Sequence, residues 1–173
     1  MPEALKIGFL ASHGGTNMQA IIDACKAERL QAEPCVVISN NSASGAMERA
    51  RREGIPARHL SSRTHPGPGA LDQAILETLK QYGAEVVCLA GYMRKLGPRI
   101  LAAYPNRILN IHPALLPKFG GEGFYGERVH QAVLAAGERE SGPTVHLVDE
   151  RYDHGAILAQ RRGRVQSRDQ LLH

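Results

Sequence analysis

Three short stretches hold residue types and spacings that suit catalysis. In "ILNIHPALLPKF", residues 108–119, Asn110 and His112 stand two apart in an apolar run, so on a strand both side chains leave the same face. An amide and an imidazole aimed together can stabilise a developing oxyanion, and the imidazole can also move a proton near neutral pH. Pro113 and Pro117 follow and stiffen the exit. In "ASHGGTN", residues 11–17, a glycine turn leads into a helix; Gly14 and Gly15 permit close approach, and Thr16 and Asn17 either cap the helix or donate to a phosphate. In "VDERYDHG", residues 148–155, Asp149, Glu150 and Asp153 cluster, and a carboxylate beside an imidazole raises its pKa and orients the ring. Each stretch also has a plain reading: a satisfied strand-end histidine, a capped turn, a solvated acidic turn.

The elements that must position these residues follow from hydrophobic periodicity. Residues 6–11, 35–40, 57–60, 85–91 and the run ending at His112 read as strands; 18–30, 44–54 and 70–83 read as helices, the last two closed by Gly54 and Gly83. The 85–91 run is apolar throughout, as in a strand buried on both faces. "MRKLGPRILAAYP" reads as a short helical link, and 61–69 as loop because of its Pro and Gly. Strands separated by helices imply right-handed crossovers and a mostly parallel sheet. A further helix is expected at 124–138, then two strand-like runs at 142–150 and 155–165, whose short connection favours an antiparallel pair. In such a sheet, ligands sit beyond the carboxyl ends of the strands, where "SHGGTN" and "NIHP" both lie.

Composition narrows the classes. The 173 residues favour one domain. Hydrophobic residues at 43% and charged residues at 22% are ordinary globular usage, and no apolar run is long enough to span a bilayer. With no secretory signal pattern either, the protein is expected in the cytosol. The net charge of +4 is scattered and aromatics are few, which suits a small anionic ligand better than a nucleic-acid surface. Cys25, Cys35 and Cys88 suggest buried thiols, and the His, Cys and acidic residues lack zinc-ligand spacing. The glycine turn is neither a dinucleotide fingerprint nor a P-loop, and there is no G-x-S-x-G elbow.

Taken in order, "FLASHGGTNMQAIIDAC", "VVISN", "VVCLAGYMRKLGPRIL" and "ILNIHPALLPKFGGEGFYGERVHQAVLAAGERESGPTVHLVDERYDHGAILAQ" resemble the glycinamide ribonucleotide formyltransferases, folate-dependent enzymes of purine biosynthesis. The resemblance implies a Rossmann-like formyltransferase fold in one domain over residues 1–173, a mostly parallel sheet of about seven strands with an antiparallel C-terminal part and helices on both faces. It implies transfer of the formyl group of 10-formyltetrahydrofolate, a co-substrate, to the amine of glycinamide ribonucleotide through a tetrahedral intermediate, without a metal. Asn110 and His112 would stabilise the oxyanion, and Asp153 would hold His112 protonated and relay the amine's proton through water. Gly15, Thr16 and Asn17 would take the phosphate. Met93, Arg94, Lys95 and Leu96, with Asn110, would line the pterin pocket, and Val148, Asp149, Glu150, Arg151, Tyr152 and Asp153 would close over the folate. The partners implied are small molecules, with no nucleic acid or membrane, and the protein is a monomer or homodimer.

Two departures stand out. Pro68 occupies the region where the family usually carries a folate-side arginine, with Arg63 nearby. After "RRGRVQSRDQLLH" the family usually continues into a long helix, so the domain is expected to lack it. Rival readings are a related folate enzyme, hydrolysing the formyl group or transferring it to another amine, and a catalytically weak binding remnant.

Overall fold

The computed structural model describes residues 4–112, 140–141, 144–148, 157–160 and 163–164, and the chain divides into units Met1–Ile108 and Leu109–His173. In the first unit the order is β1 (Leu5–Ala11), α1 (Thr16–Lys26), β2 (Ala32–Ser39), α2 (Gly45–Arg52), β3 (Ala57–His59), α3 (Ala70–Gln81), β4 (Val86–Leu89) and α4 (Pro98–Ala103). The strands lie parallel in the order β3-β2-β1-β4, as alternating strands and helices require.

Burial explains the arrangement. Along β1, Ile7, Phe9 and Ala11 share one face and pack with Met18 and Ile22 of α1 and Ala46 and Ala50 of α2. On the opposite face, Gly8 leaves the space that Leu79 of α3 fills. Helices therefore cover both faces, and β4 and the Ile7–Ala11 part of β1 are apolar throughout. Phe9 and Leu10 are fully buried, each contributing about 1.5–3 kcal/mol of transfer free energy.

Several boundaries differ from the periodicity reading; α1, for one, ends at Lys26 rather than at residue 30. Strand β2 begins at Ala32 rather than at Cys35, because the pairing passes Pro34 through a register shift opposite Ile7 and Gly8, which absorbs the missing N–H. Helix α1 begins at Thr16, two residues before its first apolar position. Only Pro98–Ala103 of the expected 93–105 link is helical, since Pro98 is pre-organised for a first helical position and the chain before it is irregular. Of the thiols, Cys88 is buried, whereas Cys25, next to the end of α1, and Cys35, at the register shift within β2, are only half-buried.

Strand β5 (Ile108–His112), all but its first residue in the second unit, pairs antiparallel with β7 (Thr144–Leu147), and β7 with β8 (Ile157–Gln160), with Asn110 opposite His146 and His112 opposite Thr144. A separate short pair joins β6 (Glu140–Ser141) to β9 (Gly163–Arg164). The expected antiparallel C-terminal strands are thus present. Pro113, Pro117 and the 124–138 helix lie outside the described residues.

Candidate functional site

Two candidate ligand segments leave the carboxyl ends of the neighbouring strands β1 and β4. After β1 the chain turns through exposed His13 and Gly14 to Gly15, which has φ 75° and stands at the N-terminal boundary of α1. No side chain caps α1, so neither Thr16 nor Asn17 plays the capping part open to them in the sequence. Among the described residues, the N–H groups of Gly14, Gly15, Thr16 and Asn17 have no acceptor. Four consecutive unspent donors at the positive end of a helix dipole suit an anion such as phosphate.

Helix α2 sets the direction of these donors. The carbonyl of His13 accepts the Ala46 N–H at 2.9 Å, and the carbonyl of Gly14 accepts Arg49 Nε at 2.7 Å. In a trans peptide the N–H points opposite to the carbonyl, so the N–H groups of Gly14 and Gly15 turn away from α2. The packing is tight. A Cβ on Gly45 would lie 3.0 Å from Gly14 Cα and O, and one on Gly15 would lie 3.0 Å from Ala46 Cα. Helix α2 is itself held by Ser44, whose Oγ accepts the Met47 N–H at 3.3 Å and contacts Ser39 Oγ at 3.0 Å. No carboxylate among the described residues pairs with Arg49, which leaves its positive charge beside the loop.

The second segment follows β4 through Gly91, with φ 73°. Tyr92 and Leu96 are buried, Met93 is half-buried, and Arg94 and Lys95 are exposed. Burial, partly offset by Arg94, pushes the Tyr92 phenol up to about 12, so the ring stays neutral under ordinary conditions. Ser12, buried at the end of β1, joins the two segments: its N–H donates to Gly91 O at 3.2 Å and its Oγ accepts the Met93 N–H at 2.9 Å. The N–H groups of Arg94, Lys95 and Leu96 have no acceptor among the described residues and can meet the polar edge of a ligand.

Within the second unit, β5 carries Asn110 and His112 in one strand, two positions apart; Asn110 is buried at 7% exposure. Val148, after β7, is half-buried. The side chain of His112 and residues Asp149, Glu150, Arg151, Tyr152 and Asp153 lie outside the described residues. Arg63, near the departure at Pro68, is exposed in a turn where Ser61 Oγ accepts its N–H at 3.2 Å.

Sequence reasoning did not find Ser12, Gly45 and Arg49. Each acts on a segment distant in the chain, and Arg49 sat unremarked in the basic run "ERARRE". Among the described residues, no group of three or more His, Cys, Asp or Glu could hold a metal, and no helix is long and apolar enough to cross a membrane.

Known proteins bear on this arrangement. The sequence model described as formyl transferase matches residues 5–172. The chain is 41% identical over 169 residues to the chloroplastic phosphoribosylglycinamide formyltransferase of Arabidopsis thaliana, covering 97% of this chain and 58% of that one. It is 37% identical to the phosphoribosylglycinamide formyltransferase of Escherichia coli, over 90% of this chain and 71% of the relative. Among solved structures, glycinamide ribonucleotide transformylase 1 from Symbiobacterium toebii superposes with a TM-score of 0.88 at 43% identity, over 96% of this chain and 76% of that one. The fold is accordingly the Rossmann-like α/β fold of these enzymes. The chain belongs to the formyl transferase family.

Proposed function

We propose that this chain is a glycinamide ribonucleotide formyltransferase of purine biosynthesis, moving the formyl group of 10-formyltetrahydrofolate onto the ribonucleotide's amine. The observation that carries the reading is the row of N–H donors over residues 14–17 that have no acceptor among the described residues, those of Gly14 and Gly15 turned away from α2, with Arg49 beside them. An acceptor that is merely an amine, or water, leaves those donors without a purpose; a phosphorylated amine gives them one. The relatives' names and the family match over residues 5–172 support the same reading, with 1–173 acting as one formyltransferase domain.

In this mechanism Gly15, Thr16 and Asn17 hold the phosphate, which fixes the amine relative to the folate. The segment Met93, Arg94, Lys95 and Leu96 receives the pterin, together with Asn110, and Val148, Asp149, Glu150, Arg151, Tyr152 and Asp153 close the folate side. The amine nitrogen attacks the formyl carbon, and the carbonyl oxygen takes up negative charge. Asn110 and His112 donate to that oxygen, the histidine being kept protonated by Asp153. The bond from the formyl carbon to the folate nitrogen then breaks, and the proton lost by the amine passes through water to the leaving nitrogen. Preorganised donors meet the charge that develops, so the scheme calls for no metal. The protein is read as a cytoplasmic monomer or homodimer acting on small molecules, with no nucleic-acid or membrane partner.

Steady-state transfer from 10-formyltetrahydrofolate to glycinamide ribonucleotide, with water and a non-phosphorylated amine as control acceptors, tests the proposal. Formylation of the ribonucleotide is expected to dominate. Release of formate without transfer would instead show a hydrolase, and folate binding without turnover a binding protein.

A further inference from the structure

The chain around the candidate folate segment is tied down on both sides by side chains that accept its backbone N–H groups. At its start, the buried Ser12 Oγ accepts the Met93 N–H at 2.9 Å. At its end, Asp72 of α3, 9% exposed, accepts the Arg99 N–H at Oδ2 (2.8 Å) and the Ile100 N–H at Oδ1 (3.2 Å). The need for this is local. Helix α4 starts at Pro98, which has no N–H, and the preceding Gly97 has no side chain with which to cap it. Its first two amide donors are those of Arg99 and Ile100, and a carboxylate from another helix satisfies both. Gly97 is glycine for the same reason: a Cβ there would overlap the carboxyl group of Asp72. A second tie, from an Arg99 guanidinium N–H to Gln73 Oε1 at 2.9 Å, joins the same two helices.

A buried carboxylate is costly unless its oxygens are filled, and an apolar residue could have joined α3 to α4 more simply. What the carboxylate adds is direction: it fixes the first turn of α4 and hence the point where the 93–96 segment ends. Between the two ties stand the N–H groups of Arg94, Lys95 and Leu96, which have no acceptor among the described residues.

We propose that Ser12 and Asp72 are positioning residues for the formyl folate, a two-ended clamp that holds residues 93–96 at the spacing the pterin requires. The inference rests on reading 93–96 as the folate segment.

The test combines kinetics with amide hydrogen exchange on Ser12→Ala, Asp72→Ala, Asp72→Asn and Gly97→Ala. Expected are a rise of about tenfold or more in KM for 10-formyltetrahydrofolate in Ser12→Ala and Asp72→Ala, KM for the ribonucleotide within about twofold of wild type, and faster exchange at 93–97. Asp72→Asn keeps one acceptor oxygen and is expected to recover part of the loss. Gly97→Ala is expected to harm the otherwise wild-type protein but to add little to Asp72→Ala, whose smaller side chain leaves room for the methyl group. Should Asp72→Ala fail to fold, Ser12→Ala and Asp72→Asn carry the test. A wild-type protein with no formyl transfer refutes the underlying function. An active wild type whose clamp variants keep the wild-type KM for folate, or raise both KM values together, overturns the clamp.

Discussion

Gly45→Ala separates loop geometry from helix stability. Propensity alone does not oppose the change: Gly45 is the first residue of α2, where alanine's advantage of about 0.5–1 kcal/mol over glycine in a helix interior is reduced but keeps its sign. The obstacle is outside the helix: the new methyl group would stand 3.0 Å from Gly14 Cα and O, against an ordinary carbon contact of about 3.5–4.0 Å. Gly14 is exposed, so its loop can yield by about 0.5–1 Å, the difference between those distances. A displacement of that size weakens hydrogen bonds to a charged ligand, each contributing about 1.5–3 kcal/mol, and the loss of one corresponds to about 10- to 100-fold in affinity. The expected result is near wild-type stability in denaturant titration, a KM for glycinamide ribonucleotide raised about 10- to 100-fold, and little change in KM for the folate. Gly67→Ala, whose methyl group would meet Ala70 Cβ at an ordinary 3.7 Å, is the control. A folded Gly45→Ala protein with an unchanged ribonucleotide KM would refute the assignment of residues 14–17 as the phosphate site.

Other outcomes follow from the same geometry. Asn110→Ala, His112→Ala and Asp153→Asn are each expected to lower kcat by about 100- to 1000-fold with the fold retained by circular dichroism, and near-normal turnover removes that residue from the oxyanion scheme. Arg49→Gln, which loses the cation beside the loop, is expected to raise the ribonucleotide KM, while Arg49→Lys restores part of it; equal KM values in both variants and wild type count against Arg49. Alkaline stability offers a check that needs no substrate. Burial raises the Tyr92 phenol from 10.0 to about 12, so the folded state keeps a proton that the unfolded chain sheds, and its stabilising share is present below pH 10 and lost as pH rises to about 12. That share is about 3 kcal/mol, and Tyr92→Phe is expected to flatten the fall of stability above pH 10 in denaturant titrations; parallel curves would show that Tyr92 is not the titrating group.

The sequence by itself determined the alternation of strand and helix, because apolar residues at periods of two and near four report directly which face of each element is buried. It also drew attention to candidate positions whose local structure is as their pattern requires: Asn110 and His112 share a strand, and Gly15 takes the left-handed conformation at the head of α1. Local pattern was weakest where tertiary contact overrides propensity. Strand β2 runs through Pro34 because a register shift against β1 absorbs the missing donor, and the 93–105 link is helical only over Pro98–Ala103. Only the tertiary structure decided that Thr16 and Asn17 leave their helix uncapped, that Ala46 and Arg49 turn the Gly14 and Gly15 amides away from α2, and that Ser12 holds Met93 while Asp72 holds the first turn of α4 beyond the 93–96 segment. Those contacts join residues 27 to 81 positions apart. Periodicity is a property of neighbours along the chain, whereas the aim of a hydrogen bond depends on where folding brings the distant partner.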